Sequence, residues 1–221
     1  MKVQLTNVTD NPVNAIEEAA CNCYGGIPDE NGKRVNGCYK SGHTSVLEFA
    51  NFTFHVDGVS RSLLAQLTRH RHAGYAVRSQ RYCTEDDFDY VTPKTIESNE
   101  LSLNAYQKIM EDINSAYIKL IDLGIVPEDA RYVLPNSCCT TLEVTMNLRA
   151  LINFMNERLC MRAQWEIREL AQKMRDLIIE QYPQFKDMLV PKCEKYIGYP
   201  FCTEQKSCGR HKKLKEVYNA E

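Results

Sequence analysis

The chain has 221 residues, 43% of them hydrophobic and 25% charged, with a net charge of −2. That is room for one domain with a sizeable core, and the acidic balance excludes a general nucleic-acid binder, so no nucleic-acid partner is expected. The N-terminus MKVQLTNVTDNPV lacks the apolar run of a signal peptide, and no stretch approaches the ~18 apolar residues of a membrane span. No membrane partner and a cytoplasmic location are expected.

Residues 2–6 read as a short strand, and Asp10-Asn11-Pro12 opens a helix running to about Cys23. Gly25 to Gly42 is rich in Gly, Asn, Asp and Lys and reads as a mobile loop of the kind that frames a site. Ser41-Gly42-His43-Thr44 then starts a short helix leading to Val46, Leu47 and Phe49. Residues 50–58 alternate, with Phe52, Phe54 and Val56 on one face and Asn51, Thr53 and His55 on the other, which predicts a half-buried strand. Val59–Arg71 switches to helical spacing, and residues 75–82 return as a strand.

Phe88 to Asn99 is acidic and irregular. Leu101–Leu123 is the clearest helix, with Tyr106, Ile109, Ile113, Tyr117 and Leu120 on one face and Gly124 ending it. Residues 138–146 form a β-branched strand, and Asn147–Arg158 and Met161–Gln181 are helices with a break near Leu159–Arg162. Strands are few and interleaved with helices without a βαβ rhythm, so the fold class is α+β.

Ten cysteines are many for a chain expected in a reducing compartment. Cys138 and Cys139 sit in a strand, where packing is the simpler role. In the tail from Pro191 onward, Cys193, Cys202, Cys208 and His211 are a ligand set that could bind zinc. No two of those cysteines show the tight C-x₂₋₄-C spacing of common structural sites, however. Surface thiols are the simpler reading, and no metal is assigned.

The chemistry concentrates at Arg69–Tyr82, RHRHAGYAVRSQRY. Guanidinium groups bind phosphate bidentately and stay charged, and arginines this close repel one another unless an anion or carboxylates separate them. The alternative is a solvated face paired with Glu85, Asp86 and Asp87. Small and aromatic residues between the arginines (Gly74, Tyr75, Ala76, Tyr82) favour close approach and stacking of a ligand. Ser79 has no G-x-S-x-G elbow around it and reads as a hydrogen-bonding contact rather than a nucleophile. A second basic set comprises Arg131, Arg149, Arg158 and Arg162, with Asn147 and Asn153. Arg149 and Asn153 share one helix face, with Asn147 at the helix start, where free N–H groups favour anions. His43 is open between a general base, a metal ligand and a structural role. There is no G-x-G-x-x-G and no Walker A sequence, which leaves Rossmann and P-loop nucleotide sites unsupported.

Arg69–Tyr82 resembles the RHR-x₇-S signature of the flavin-dependent thymidylate synthases, seen more fully as RHRxxSxNxxSxRY. GHTSVLEFANFTFHVDGVSRSLLAQLTRHR is similar to that family's lead-in, Ala130–Pro135 (ARYVLP) to its middle element, and Asn147–Ile167 to its C-terminal helices. Together these cover most of residues 40–170. Gly74 and Ala76 depart from the Ser and Asn of the longer motif, Phe49 stands where a histidine is common, and Val77 where some members carry an acid.

The resemblance implies a single domain over residues 1–221, with an irregular Cys- and Lys-containing tail at about 191–221. It implies a mixed, mainly antiparallel sheet flanked by helices, in an obligate homo-oligomer: a homotetramer with shared active sites. The implied reaction converts dUMP to dTMP, with 5,10-methylenetetrahydrofolate as carbon donor and NADPH as reductant through FAD. By motif position, FAD would be held by Ser45, Arg69, His70, Arg71, Asn147, Arg149 and Asn153. Gln66, Arg69, Val77, Arg78, Ser79, Gln80, Arg81, Arg131 and Arg158 would hold dUMP, and His43 and Glu48 would lie near the flavin and folate. Arg158 is the implied catalytic residue, its charge stabilising negative charge on the uracil N3/O2 amide and so activating C5. No cysteine falls at a catalytic position of a matched motif; Cys83 and Cys160 are the nearest.

Overall fold

The computed structural model describes residues 1–196 and 198–218; Ile197 and residues 219–221 of the tail lie outside the described residues. The elements in chain order are β1 (Lys2–Val8), α1 (Pro12–Tyr24), α2 (Lys33–Lys40), a 3-10 turn (Thr44–Phe49), β2 (Asn51–Ser60), α3 (Arg61–Leu67), β3 (Gly74–Val77), α4 (Lys94–Glu97), α5 (Glu100–Asp122), α6 (Pro127–Ala130), β4 (Cys139–Asn147), α7 (Leu148–Arg158), α8 (Trp165–Gln181) and α9 (Leu214–Tyr218).

The strands form one sheet in the order β1-β2-β4-β3. Its register follows from the bonds between strands. Leu148 N donates to Ala50 O at 2.8 Å, and Arg61 N to Cys138 O at 3.1 Å. Between them Thr53 Oγ1 meets Thr145 Oγ1 at 3.0 Å and Thr141 Oγ1 meets Asp57 Oδ1 at 2.6 Å. Partner numbers fall as β2 rises, so β2 and β4 are antiparallel. Arg78 N on Thr141 O at 2.9 Å, with Gly74 against Thr145, makes β3 and β4 antiparallel in the same way. Thr9 N on Asn51 O at 3.0 Å, with Gly58 against Met1, does so for β1 and β2. The sheet is antiparallel throughout rather than mixed.

The chain divides into two compact units. The first comprises Met1–Lys2, Val56–Arg69 and Tyr75–Glu143; the second comprises Val3–His55, His70–Gly74 and Val144–Glu221. In the first unit Phe88, Met110 and Cys138 form a buried cluster covered by Tyr90, Tyr106, Ile113 and Leu134. On α5 the expected face buries Tyr117 but leaves Ile109 52% exposed, and Met110 is buried in its place. In the second unit the buried residues include Ile16, Leu47, Phe52, Phe54, Leu148, Leu151, Phe154, Leu170, Met174 and Phe185. Phe52 meets Phe185 edge-on at 6.0 Å.

Three local expectations change. Gly25–Gly42, expected as a mobile loop, contains α2, and the cause is Glu17. Its carboxylate is fully buried and accepts the backbone N–H groups of Asp29 at 3.1 Å, Arg34 at 2.7 Å and Val35 at 3.0 Å, plus Arg34 Nη1 at 3.3 Å. One acid thus satisfies two of the orphan donors at the N-terminus of α2. The helix expected over Val59–Arg71 is only Arg61–Leu67, because β2 runs to Ser60 and the Ser60 hydroxyl then caps Leu63 N at 3.0 Å. The strand expected over 75–82 stops at Val77, because the chain turns at Ser79: Arg81 N reaches Ser79 Oγ at 3.2 Å and Cys83 N reaches Ser79 O at 3.1 Å. No described helix is long and apolar enough to cross a membrane.

Candidate active site

The first unit carries Gln66, Arg69, Val77–Arg81 and Arg131. Gln66 is half-buried near the end of α3 and Arg69 is exposed just beyond it. Tyr75 Oη donates to Leu67 O at 2.8 Å, tying β3 to the end of α3. Glu128 draws two of the arginines together: Arg81 Nη2 lies 3.0 Å from its carboxylate, and Arg131 Nε donates to its carbonyl at 2.9 Å. The Arg81 guanidinium also stands 5.4 Å from the Tyr82 ring centre. Both sides of the Arg81–Glu128 pair are nearly half exposed, so an incoming anion can compete for the guanidinium.

Arg78 is held differently. Its Nε donates to the buried Glu85 carboxylate at 3.2 Å and its Nη2 to Thr84 O at 3.3 Å. The Glu85 hydrogen bond, then its charge, hold the Arg78 pKa above the ordinary arginine value. The acid pairing set against ligand binding in the sequence is therefore made by Arg78. Gln80 Nε2 meets the buried Cys138 Sγ at 3.6 Å. Burial, reinforced by the Glu85 charge, pushes the Cys138 thiol up to about 11, so it is protonated at neutral pH.

Arg61 is the residue that sequence reasoning passed over. It opens α3, its Nη2 donates to Arg78 O at 3.0 Å, and its buried Nε has no partner among the described residues. Burial lowers its pKa most, and the charges of Arg131 and Arg78 add to that. A third guanidinium within electrostatic range of Arg78 and Arg131 makes this part of the unit anion-seeking. The signal available in the sequence was position alone, an arginine directly after a helix-capping serine.

The second unit carries His43, Ser45, Glu48, His70, Arg71, Asn147, Arg149, Asn153 and Arg158. Asn147 caps α7 by accepting Ala150 N at 2.8 Å through its Oδ1, a bond that does not use its amide N–H₂. Arg149 and Asn153, one turn apart, are exposed on α7, and Arg149 Nη1 reaches Glu48 Oε1 at 2.6 Å. These four side chains, with His72 and Ala150, line an open cavity of about 280 Å³. His72 carried no assignment from the sequence; it lies in the bend ahead of β3, which leaves no periodic signal. Ser45 and His43 are exposed and do not line this cavity; His43 meets the Tyr24 ring edge-on at 5.9 Å.

His70 packs edge-on against Phe154 at 5.6 Å and bonds to the Ala150 backbone, both on α7. Burial lowers its pKa most, and the charges of His72 and Arg158 lower it further against the raising effect of the Ala150 bond. His70 is therefore a neutral brace for the helix that carries Arg149 and Asn153. Arg158 ends α7, half-buried and within electrostatic reach of His70.

The Thymidylate synthase complementing protein family matches residues 4–184. The chain is 37% identical to the flavin-dependent thymidylate synthase of Nitratidesulfovibrio vulgaris, over 95% of this chain and 95% of the relative. It is 36% identical to the enzyme of that name from Clostridium tetani, over 99% and 97%, and 37% identical to that from Geobacter sulfurreducens, over 99% and 98%. The chain belongs to the flavin-dependent thymidylate synthase family. It is accordingly an enzyme of the methyltransferase type.

Within a flavin-dependent thymidylate synthase the 280 Å³ cavity has a clear chemical character. A guanidinium held by the Glu48 carboxylate, two carboxamides, an imidazole and a helix N-terminus form a set that suits a ligand with both phosphate and amide-bearing heterocycle, the phosphate competing with Glu48 for Arg149. The residues fit a flavin dinucleotide in kind. The volume lies just below the ~300–1,000 Å³ typical of drug-sized ligands, so this cavity suits one portion of so large a cofactor.

Proposed function

We propose that this chain is a flavin-dependent thymidylate synthase that converts dUMP to dTMP in the cytoplasm. Its carbon donor is 5,10-methylenetetrahydrofolate and its reductant is NADPH acting through FAD. The observation that carries this reading is the cavity bounded by Glu48, His72, Asn147, Arg149 and Asn153, in a chain of this family. When bound, FAD supplies the hydride chemistry, and the protein's part is binding, orientation and electrostatics.

On the cofactor side, Asn147 and the first amides of α7 meet the polar part of FAD, and Arg149 and Asn153 flank it, while His70 fixes the helix beneath. Ser45, Arg69 and Arg71 complete the set, with His43 and Glu48 near the flavin and folate. For dUMP, Arg81 and Arg131 grip the phosphate, since Arg81 is nearly half exposed and Arg131 is tied to a backbone carbonyl rather than to a carboxylate, whereas the Arg78 guanidinium is committed to Glu85. Val77, Arg78, Ser79 and Gln80 offer the loop's backbone and short polar groups, and Gln66 and Arg69 the adjoining wall. Arg158 acts on the uracil ring: its charge stabilises the anion developing over N3 and O2, which raises the nucleophilicity of C5.

No cysteine nucleophile takes part in this reading. Cys138, the most buried thiol near the motif, is held protonated by its surroundings. The reading includes a homotetramer with shared active sites. It is supported by large apolar side chains left exposed beside site residues: Phe49 at 61%, Tyr82 at 80% and Tyr132 at 82%.

The test uses purified chain loaded with FAD and dUMP labelled with tritium at C5. Tritium release that depends on 5,10-methylenetetrahydrofolate is expected. A flavin-loaded chain that oxidises NADPH yet releases no tritium would be an oxidoreductase without methyl transfer, and the proposal would fall.

A further inference from the structure

The family match ends at residue 184, ahead of the Cys- and His-containing tail, and the tail is folded rather than trailing. Phe201 N donates to Cys193 O at 3.0 Å, and Cys202 N to Lys212 O at 2.8 Å. Cys202 and Lys213 form a parallel bridge, and Ser207 Oγ bonds His211 O at 3.0 Å. These four links fold three separate stretches of tail onto one another. Arg162, in the connection between α7 and α8, anchors them by donating its Nε and Nη2 to Lys206 O at 3.1 and 3.0 Å.

The result is a cavity of about 10 Å³ whose walls include Cys160, Cys193, Cys202, Cys208 and His211. A space of this size holds one small ion or water molecule. Every cysteine lining it is a free thiol. The ligand atoms of Cys193, Glu194 and His211 all lie within 4.8 Å of one another. In a tetrahedral zinc site with bonds of about 2.0–2.3 Å, ligand atoms stand about 3.3–3.8 Å apart. Cys193 and His211 therefore need a contraction of about 1 Å, while Cys202 and Cys208, which share the cavity wall but lie outside that close group, turn in further to reach the same ion.

We propose that the tail is a structural zinc site in which the thiolates of Cys193, Cys202 and Cys208 and the imidazole of His211 bind one Zn(II). The spacing is C-x₈-C-x₅-C-x₂-H. Its last pair has the tight interval that no two of the cysteines possess. Soft thiolates with one imidazole in a tetrahedral set select zinc over magnesium or calcium. Glu194 serves as an orienting partner. Its Oε1 takes the Arg210 Nε at 2.6 Å and the His211 Nε2 at 3.1 Å, which leaves His211 Nδ1 for the metal. Binding displaces three thiol protons, so Zn(II) and three thiolates carry a net charge of −1, and Arg162 in the same wall offsets it, Lys192 and Arg210 being paired with Glu204 and Glu194. The metal thereby fastens the tail to the connection that follows Arg158's helix.

The test measures zinc in full-length chain purified and dialysed under reducing conditions, with Co(II) substitution as the spectroscopic readout. About one zinc per chain is expected, with intense thiolate-to-cobalt charge-transfer bands after exchange. Cys193→Ser combined with His211→Ala should lower retained zinc roughly tenfold or more. Because that variant can misfold, a second measurement uses the wild-type chain. Titration of its thiols with a mercurial should release the zinc into a chromogenic chelator in step with thiol modification. A reduced wild-type chain that takes up neither Zn(II) nor Co(II), zinc retention unaffected by the double variant, or tail cysteines found in disulfides without metal would each overturn the proposal.

Discussion

Arg149 Nη1 donates to Glu48 Oε1 at 2.6 Å, joining residues 101 positions apart in the chain at the edge of the proposed flavin cavity. Both side chains are close to half exposed, at 47% and 46%, so the pair itself adds little to stability, on the order of 0–1 kcal/mol. Its consequence is directional: the carboxylate holds the guanidinium over the N-terminal turn of α7. Arg149→Ala should leave the unfolding free energy within about 1 kcal/mol of wild type. It should weaken FAD retention roughly tenfold or more, the loss of one charge-assisted hydrogen bond. Equilibrium dialysis with FAD beside a urea melt separates the two effects, and unchanged retention would remove Arg149 from the flavin set.

Arg158 closes the last turn of α7, where a cation also favours the helix dipole. Arg158→Ala should therefore lose a few tenths of a kcal/mol of helix stabilisation, and if its charge stabilises the uracil anion, turnover should fall roughly 10²–10³-fold. Cys83→Ala should leave turnover largely intact, since no cysteine carries the chemistry. Single-turnover dTMP formation, with circular dichroism to confirm folding, distinguishes the two. Substantial activity in Arg158→Ala would sink the catalytic role.

Much of this was legible in the sequence, and the failures have physical causes. Alternation marked β2 and its buried face of Phe52, Phe54 and Val56, because strand periodicity depends only on which face is covered. The site motif was readable because arginines clustered among small residues require an explanation wherever they lie. α2 was not readable, because its first turn depends on a carboxylate 17 and 18 residues from the amides it binds, Glu17, rather than on a local capping side chain. Arg61 was missed for a similar reason: its neighbours Arg78 and Arg131 meet it only through the fold. The tail's ligand set was visible as residue types, but the bonds that gather it, such as Cys202 N to Lys212 O, leave no periodic trace.

Glu17 offers a direct measure of how the Gly25–Gly42 segment is ordered. Its carboxylate is fully buried and serves three backbone N–H groups and one guanidinium. Glu17→Ala removes the acceptor of three backbone N–H groups, while Arg34 Nη1 keeps its bond to Ile27 O at 2.6 Å, and should destabilise the chain by roughly 2–4 kcal/mol, from about 1–3 kcal/mol per donor left unsatisfied. Hydrogen exchange should quicken first at Arg34 and Val35. Protection there that survives the substitution would mean that α2 forms without the acid.

His70 predicts a pH dependence of stability. Its folded pKa lies below the ordinary histidine value, chiefly through burial, with His72 and Arg158 adding to the effect and the Ala150 bond opposing it. The unfolded chain, with a histidine pKa of about 6.5, then binds more protons than the folded chain between the two values. The contribution of His70 is therefore fully present above about pH 6.5 and is lost as pH falls through the folded pKa. Thermal melts of wild type and His70→Gln across mildly acidic pH should converge as pH falls. A difference that stays constant would show that His70 does not titrate differently on folding.

Gly74 stands where the longer family motif has serine, and the sheet explains why this chain keeps glycine. A Cβ built at Gly74 would lie 2.9 Å from Thr145 Cγ2 on the neighbouring strand, closer than real side chains approach. Gly74→Ser should therefore force Thr145 aside and destabilise the chain by about 1 kcal/mol, the low end of overpacking because Thr145 is exposed and can yield. The compensating change is specific. Thr145→Ser removes the offending methyl while keeping the hydroxyl that meets Thr53 Oγ1 at 3.0 Å. In a double-mutant cycle, Gly74→Ser should be close to neutral in the Thr145→Ser background, giving a favourable coupling of about 0.5–1 kcal/mol. Additive effects would mean that the strand spacing absorbs a side chain at position 74 without help from Thr145, and that the loss of the family's serine has no packing cause.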